Sequence, residues 1–150
     1  MTTAQLAPGH VGINVTDLSR SIDFYRRALG FESLHVNDDG DRKFAFLGLD
    51  GELRVTLWQQ SAGAFSTRTP GLHHLAFLVD SIDDVRTVQA RLKDLGVTFT
   101  HEGVVAHSEG TPSGGIFFTD PDGIRLEVYT LDGVHNEPAP HGESPTCGFF

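Results

Sequence analysis

Two stretches of the chain alternate apolar and polar residues in the same phase. In "GHVGINVTD", residues 9–17, Val11, Ile13 and Val15 take one face, while His10, Gly12 and Asn14 take the other. In "HHLAFLVDS", residues 73–81, Leu75, Phe77 and Val79 match the first set, and His74, Ala76 and Leu78 the second. Period two marks a half-buried strand. Each stretch runs into an apolar pattern of helical spacing. In "DLSRSIDFYRRALGFE" the pattern is Ile22, Tyr25, Ala28 and Leu29; in "DSIDDVRTVQARLKDLGV" it is Ile82, Val85, Val88, Leu92 and Leu95. Ser81 with Asp84 three positions on reads as a capping box. Gly30 and Gly96 stand where the two helices should stop.

Short strand patterns follow each helix. The first set is "ESLHVN", "KFAFLGL" and "LRVTLWQ", with turns at "NDDGD" and "DG"; the second is "VTFTHE", "GGIFFTD" and "IRLEVYT", with "DPDG" as its last turn. The order β-α-β-β-β therefore occurs twice, offset by 64 residues from His10 to His74. That spacing is too long for a solenoid and fits a duplicated module. The expected fold class is α+β, with one domain over residues 1–131. Module one covers about 8–61 and module two about 71–131. The remainder, 132–150, is rich in Pro, Gly and polar residues. It is expected to be irregular, with its aromatic "GFF" end plugging a groove, because two terminal aromatics are costly to leave in water.

Strand parity selects candidate chemistry. The apolar stripes should pack under the helices, so His10 and His74 share the opposite face at equivalent positions, and His73 should point away from it. In "DPDGIRLEVYT" the same alternation puts Ile124, Leu126 and Val128 on the apolar side and Arg125, Glu127 and Tyr129 on the other. An unpaired carboxylate in mid-strand is costly to bury, and a metal ion is one good reason for it. Two imidazoles and a carboxylate match the facial set of non-haem Fe(II) enzymes; Mn, Ni, Zn or Co could also accept them.

Composition narrows the partners. The formal charge of −9 disfavours nucleic acid and anionic membrane, which call for basic patches. No stretch is long and apolar enough to span a bilayer. The opening "MTTAQLAPGH" lacks the order of a secretion signal. With a single cysteine, Cys147, the chain is expected in the cytoplasm. A homodimer is the expected assembly. Cys147, with no cation or imidazole near it in sequence, reads as structural or incidental.

The chain resembles the vicinal oxygen chelate superfamily of glyoxalases, bleomycin-resistance proteins and extradiol dioxygenases. The resemblance rests on "GHVGINVTDLSRSIDFYRRALGFE", "HHLAFLVDSIDDV" and "FFTDPDGIRLEVY", spanning residues 9–129. It implies two β-α-β-β-β modules forming an open, U-shaped mixed sheet around a metal, with ligands at His10, His74 and Glu127.

Glyoxalase- and epimerase-like members carry a fourth ligand on the last strand of the first module. Matching "LRVTLWQ" to "IRLEVYT" puts Thr56 opposite Glu127, and a neutral hydroxyl is a poor ligand and a poor base. Manganese-dependent fosfomycin-resistance thiol transferases share the three-ligand set but must hold a phosphonate, and "HEGVVAHSEGTPSGG" contains no Lys or Arg. Extradiol ring-cleaving dioxygenases also share it. Their Fe(II) brings a catechol and O₂ together. The implied function is therefore a metal-dependent extradiol-type dioxygenase acting on a catechol-like aromatic compound with O₂. The alternatives are a glyoxalase-like divalent-metal isomerase or lyase, and a metal-free binding protein of the bleomycin-resistance kind. Parity places Phe46, Thr56, Trp58, Phe117 and Tyr129 on the inner face as substrate contacts. Phe117 stands where the extradiol pattern has a tyrosine. His107, slightly upstream of the pattern's histidine, is the candidate proton carrier, with Tyr129 as the second. His101, His135 and His141 read as surface residues and His35 as an exposed strand residue.

Overall fold

The computed structural model describes residues 2–150. The chain divides into two compact units, one ending at Gly63 and the other beginning at Ala64. Each contains one repeat, and each is described by itself.

In the first unit the order is β1 (Val11–Val15), α1 (Leu18–Leu29), β2 (Glu32–Asn37), β3 (Phe44–Leu49) and β4 (Glu52–Gln59). Asp17 starts α1 by accepting the backbone N–H of Arg20 at 3.0 Å. Gly30 ends it with φ of 76°, in the left-handed region where a side chain would be strained. The strands form an open sheet in the order β1-β4-β3-β2. β1 lies parallel to β4, and the other pairs are antiparallel. Asp50 and Gly51 join β3 to β4 with positive φ at both positions, the mark of a tight hairpin turn. Ile13, Val15, Ala45, Leu47, Val55 and Leu57 are buried on the face that α1 covers with Leu18, Tyr25 and Ala28.

The second unit repeats the plan with β5 (Leu75–Leu78), α2 (Ile82–Asp94), β6 (Val105–Ala106), β7 (Gly114–Thr119) and β8 (Arg125–Thr130). The Ser81 hydroxyl caps α2 by accepting the Asp84 N–H at 3.2 Å, and it donates to the Asp84 carboxylate at 2.7 Å in place of the backbone bond that would close a capping box. The open sheet runs β5-β8-β7-β6, again with a parallel pair, β5 on β8. Val85, Val88 and Leu92 of α2 bury the face formed by Ile116, Phe118, Leu126 and Val128.

One expected strand is displaced. "VTFTHE" supplies only a bridge from Phe99 to Phe118 and a bond from the Thr100 N–H to the Phe117 carbonyl at 2.8 Å. Gly103, with φ of 70°, then turns the chain, and Val105–Ala106 take the pairing with Gly115 and Gly114 instead. That approach is so close that a Cβ on Gly114 would lie 2.2 Å from the Val105 carbonyl oxygen.

Residues 132–150 contain a single short 3₁₀ turn, Thr146–Gly148. They are tied to β6 nonetheless. Ala106 donates its N–H to the Pro138 carbonyl at 2.8 Å, and the Thr146 hydroxyl donates to the Ala106 carbonyl at 2.7 Å. The Thr146 N–H donates to the His107 carbonyl at 2.7 Å. The aromatic end docks on its own unit, with the Phe150 ring 5.1 Å from that of Phe117.

Candidate metal centre

Glu127 lies in mid-β8, opposite Ala76 of β5 and Phe117 of β7. Its neighbours Leu126 and Val128 face α2, so its carboxylate points to the other face, with the side chain only 3% exposed. Charge in such a place needs partners. His74 brings Nε2 to 3.5 Å from Oε2. The His107 Nε2 is hydrogen-bonded to Oε1, and its Nδ1 lies 2.9 Å from the Ser113 hydroxyl. The ring of Tyr129 lies 5.2 Å from that of His107. His107 is thus half-buried against the carboxylate, one residue past β6.

The histidine pair adds a contact that the sequence did not predict. β5 begins only at Leu75, so strand alternation does not govern residues 73 and 74. The rings touch instead, with Nδ1 atoms 2.8 Å apart. His73 is exposed and His74 half-buried. Burial lowers the His74 pKa below the ordinary imidazole value; Glu127 opposes this, and His73, Arg125 and His107 add to it. The neutral imidazole so favoured is the form that ligates a metal.

Two further residues are corrected by the return of the tail. Cys147, 73 residues from His74 in sequence, has its thiol in the same cluster. Donor atoms of His74, Glu127 and Cys147 all lie within 4.8 Å of one another. Burial, then the charge of Glu127, pushes the Cys147 thiol up. His101 is half-buried rather than at the surface, and its Nε2 is enclosed without a hydrogen-bond partner. Its ring packs 5.4 Å from Phe117 and 5.7 Å from His141. His135 and His141 are exposed, as expected. Nothing in local sequence reveals either contact, because both depend on where residues 132–150 fold back.

Phe117 is fully buried. Phe150 covers it and also packs on His74, with ring centroids 5.6 Å apart. The Arg125 guanidinium stands 5.6 Å from the centre of the Phe150 ring.

In the first unit, His10 is exposed and precedes β1 by one residue. Thr56 lies opposite Gly12 and Phe46, as Glu127 lies opposite Ala76 and Phe117. The two registers make Thr56 the counterpart of Glu127. Its side chain is buried, and its hydroxyl accepts the Trp58 indole N–H at 2.9 Å. Trp58 stacks on Phe44 at 5.3 Å, and Phe46 lies 5.4 Å from Phe44. A cavity of about 250 Å³ opens beside Phe44 and Trp58, with Arg42 and Lys43 on its wall. His35 is exposed, as expected, with its ring against Phe44 and Phe46.

The donors in the second unit fit a divalent metal. Nitrogen, oxygen and sulfur ligands reach zinc at roughly 2.0–2.3 Å, so two on one tetrahedral ion lie roughly 3.3–3.8 Å apart. The 4.8 Å cluster of an imidazole, a buried carboxylate and a thiol comes within small side-chain rotations of that spacing.

A family model described as "Glyoxalase/Bleomycin resistance protein/Dioxygenase superfamily" matches residues 7–128. A catechol-2,3-dioxygenase of Bacillus subtilis (strain 168) is 26% identical over 124 residues, 81% of this chain and 40% of that protein. The chain thus spans less than half the length of that relative. A probable lactoylglutathione lyase of Vibrio cholerae serotype O1 is 28% identical over 135 residues, 84% of this chain and 91% of that protein. The crystal structure of a glyoxylase/bleomycin resistance protein/dioxygenase domain from Frankia sp. EAN1pec superposes with a TM-score of 0.74 at 28% identity, covering 89% of this chain and 98% of that one. Among the described residues, no helix is long and apolar enough to cross a membrane.

Proposed function

The chain belongs to the glyoxalase, bleomycin resistance protein and dioxygenase superfamily, and from that premise we propose that it is a metal-dependent extradiol-type dioxygenase, cleaving a catechol-like aromatic compound with O₂. The observation that carries this reading is Thr56. An isomerase or lyase working through two carboxylates would have the second one on the last strand of the first module. At the matched position stands a buried, neutral hydroxyl already engaged by Trp58. The similarity to a catechol-2,3-dioxygenase supports the same reading, and the similarity to a probable lactoylglutathione lyase keeps the isomerase or lyase as the rival.

In this proposal His74 and Glu127 hold the ion, with Fe(II) as the metal. A bound divalent ion would supply Lewis-acid chemistry and a common point for the two reactants. The chain supplies the rest. His107, hydrogen-bonded to Glu127 and held by Ser113, can keep or pass a proton at Nε2. Phe117 has no phenol to do so, which leaves Tyr129, ring to ring with His107, as the second carrier. Phe46 and Trp58 offer flat apolar surface for an aromatic ring.

The test is elemental analysis of protein purified without chelator or affinity metal, followed by oxygen uptake with a panel of catechols. Bound iron and substrate-dependent oxygen consumption are expected. Bound nickel, zinc or cobalt without oxygen uptake would overturn the dioxygenase in favour of the isomerase or lyase. Absence of any bound metal would favour the binding protein.

A further inference from the structure

We propose that Cys147 is itself a metal ligand, completing with His74 and Glu127 a mixed nitrogen, oxygen and sulfur site that the tail closes. The inference rests on the reading of His74 and Glu127 as metal ligands and goes beyond it by adding a thiolate.

Three observations place the thiol there by construction rather than by chance. First, its sulfur, a His74 ring nitrogen and a Glu127 oxygen lie within 4.8 Å of one another. Second, the preceding residue is locked. Thr146 is fully buried and bonded through both its N–H and its hydroxyl to the backbone of His107 and Ala106, each at 2.7 Å. Third, the chain is held again three residues later, where Phe150 packs on His74 and Phe117 beneath Arg125. A cysteine held on both sides has little freedom to leave. Ordering it costs the ligand set less entropy than recruiting a free side chain would.

The thiolate alters which ion the site prefers. Carboxylate and imidazole alone suit manganese as well as iron or zinc. Adding sulfur shifts preference toward zinc, cobalt and Fe(II), and away from the harder ions. Ligation deprotonates the thiol, so uptake of the metal releases its proton to solvent.

Cobalt(II) is the probe, because cobalt bound to a thiolate shows a sulfur-to-metal charge-transfer absorption in the near ultraviolet. The full chain would be titrated with cobalt, alongside Cys147→Ser, Cys147→Ala and Glu127→Gln. The wild type is expected to show the absorption. Both Cys147 variants should lose it while still binding cobalt, with an affinity lower by at least about tenfold, the scale at which even outer-shell partners act. Cobalt binding to the wild type without the absorption would overturn the thiolate while leaving the His74 and Glu127 reading intact. So would an absorption that survives in Cys147→Ala, since the chain has no other cysteine. Failure of the wild type to bind cobalt, or undiminished binding by Glu127→Gln, would overturn both. Circular dichroism matching the wild type would show that each variant is folded.

Discussion

Glu127 sits between Leu126 and Val128, where an uncompensated carboxylate would cost several kcal/mol. It meets an imidazole on each oxygen instead. Parity along β8 was enough to read Glu127 from the sequence, because a regular strand fixes side-chain direction. Parity also put His74 on the Glu127 side, where its Nε2 lies 3.5 Å from the carboxylate, but it did not show the ring contact between His73 and His74, which precede β5. Nor could it find Cys147, whose place is set by a contact across 73 residues. His107 lies between these cases. It was legible as a candidate proton carrier, and its bonds to Glu127 and Ser113 give that candidacy a geometry. Replacing it with phenylalanine keeps the ring volume near Phe117 and Tyr129 but removes the proton. His107→Phe is expected to keep its metal while turnover falls roughly 10²- to 10⁴-fold, the usual loss for a general acid or base. Metal content and steady-state oxygen uptake on one preparation would decide it. Full activity would transfer the role to Tyr129.

At the scale of elements, the signals that worked were those with a local mechanism. Asp17, Ser81 and Gly30 cap or close helices because each satisfies backbone groups within a few residues. "DG" at 50–51 turns because both positions take positive φ. "VTFTHE" misled because its alternation is strand-like but it meets β7 only at Phe99 and Thr100, while the regular pairing at the other end of β7 is made by Val105–Ala106, a tertiary outcome. The "DPDG" turn shows a local mechanism at its strongest. The Asp120 Oδ1 accepts the N–H of both Asp122 and Ile124, each at 2.9 Å, and the bond to Ile124 is buried. Asp120→Ala strands both donors, each loss costing about 1–3 kcal/mol. Urea unfolding should therefore show a destabilisation of about 2–6 kcal/mol. Asp120→Asn keeps one acceptor oxygen and should cost less than the alanine. An alanine variant within about 0.5 kcal/mol of wild type, the range of plain surface substitutions, would show the turn does not depend on this side chain.

Across the second unit, residues 132–150 act as more than a trailing end. They extend the bonding of the β6 edge, bring Cys147 to the carboxylate, and cover Phe117. They also place His141 against His101. The consequence is a dependence of stability on pH. Burial first, and His141 second, lower the His101 pKa below its ordinary 6.5. The unfolded chain therefore binds a proton more readily than the folded one, and protonation favours unfolding. Stability from this source is complete above the unfolded value of 6.5 and is lost as pH falls through the lower folded value. His74, also lowered, acts with the same sign. Measured on metal-free protein, the urea midpoint should fall between about pH 7 and pH 5, the window in which imidazoles titrate. His101→Asn removes one of these two contributions, so its midpoint should fall less steeply over the same window. Deleting residues 132–150 should flatten the His101 contribution in the same way, because it removes His141 and the packing that brings the two rings together. A wild type and a His101→Asn variant with parallel pH profiles would show that the enclosed imidazole is not a source of the acid sensitivity.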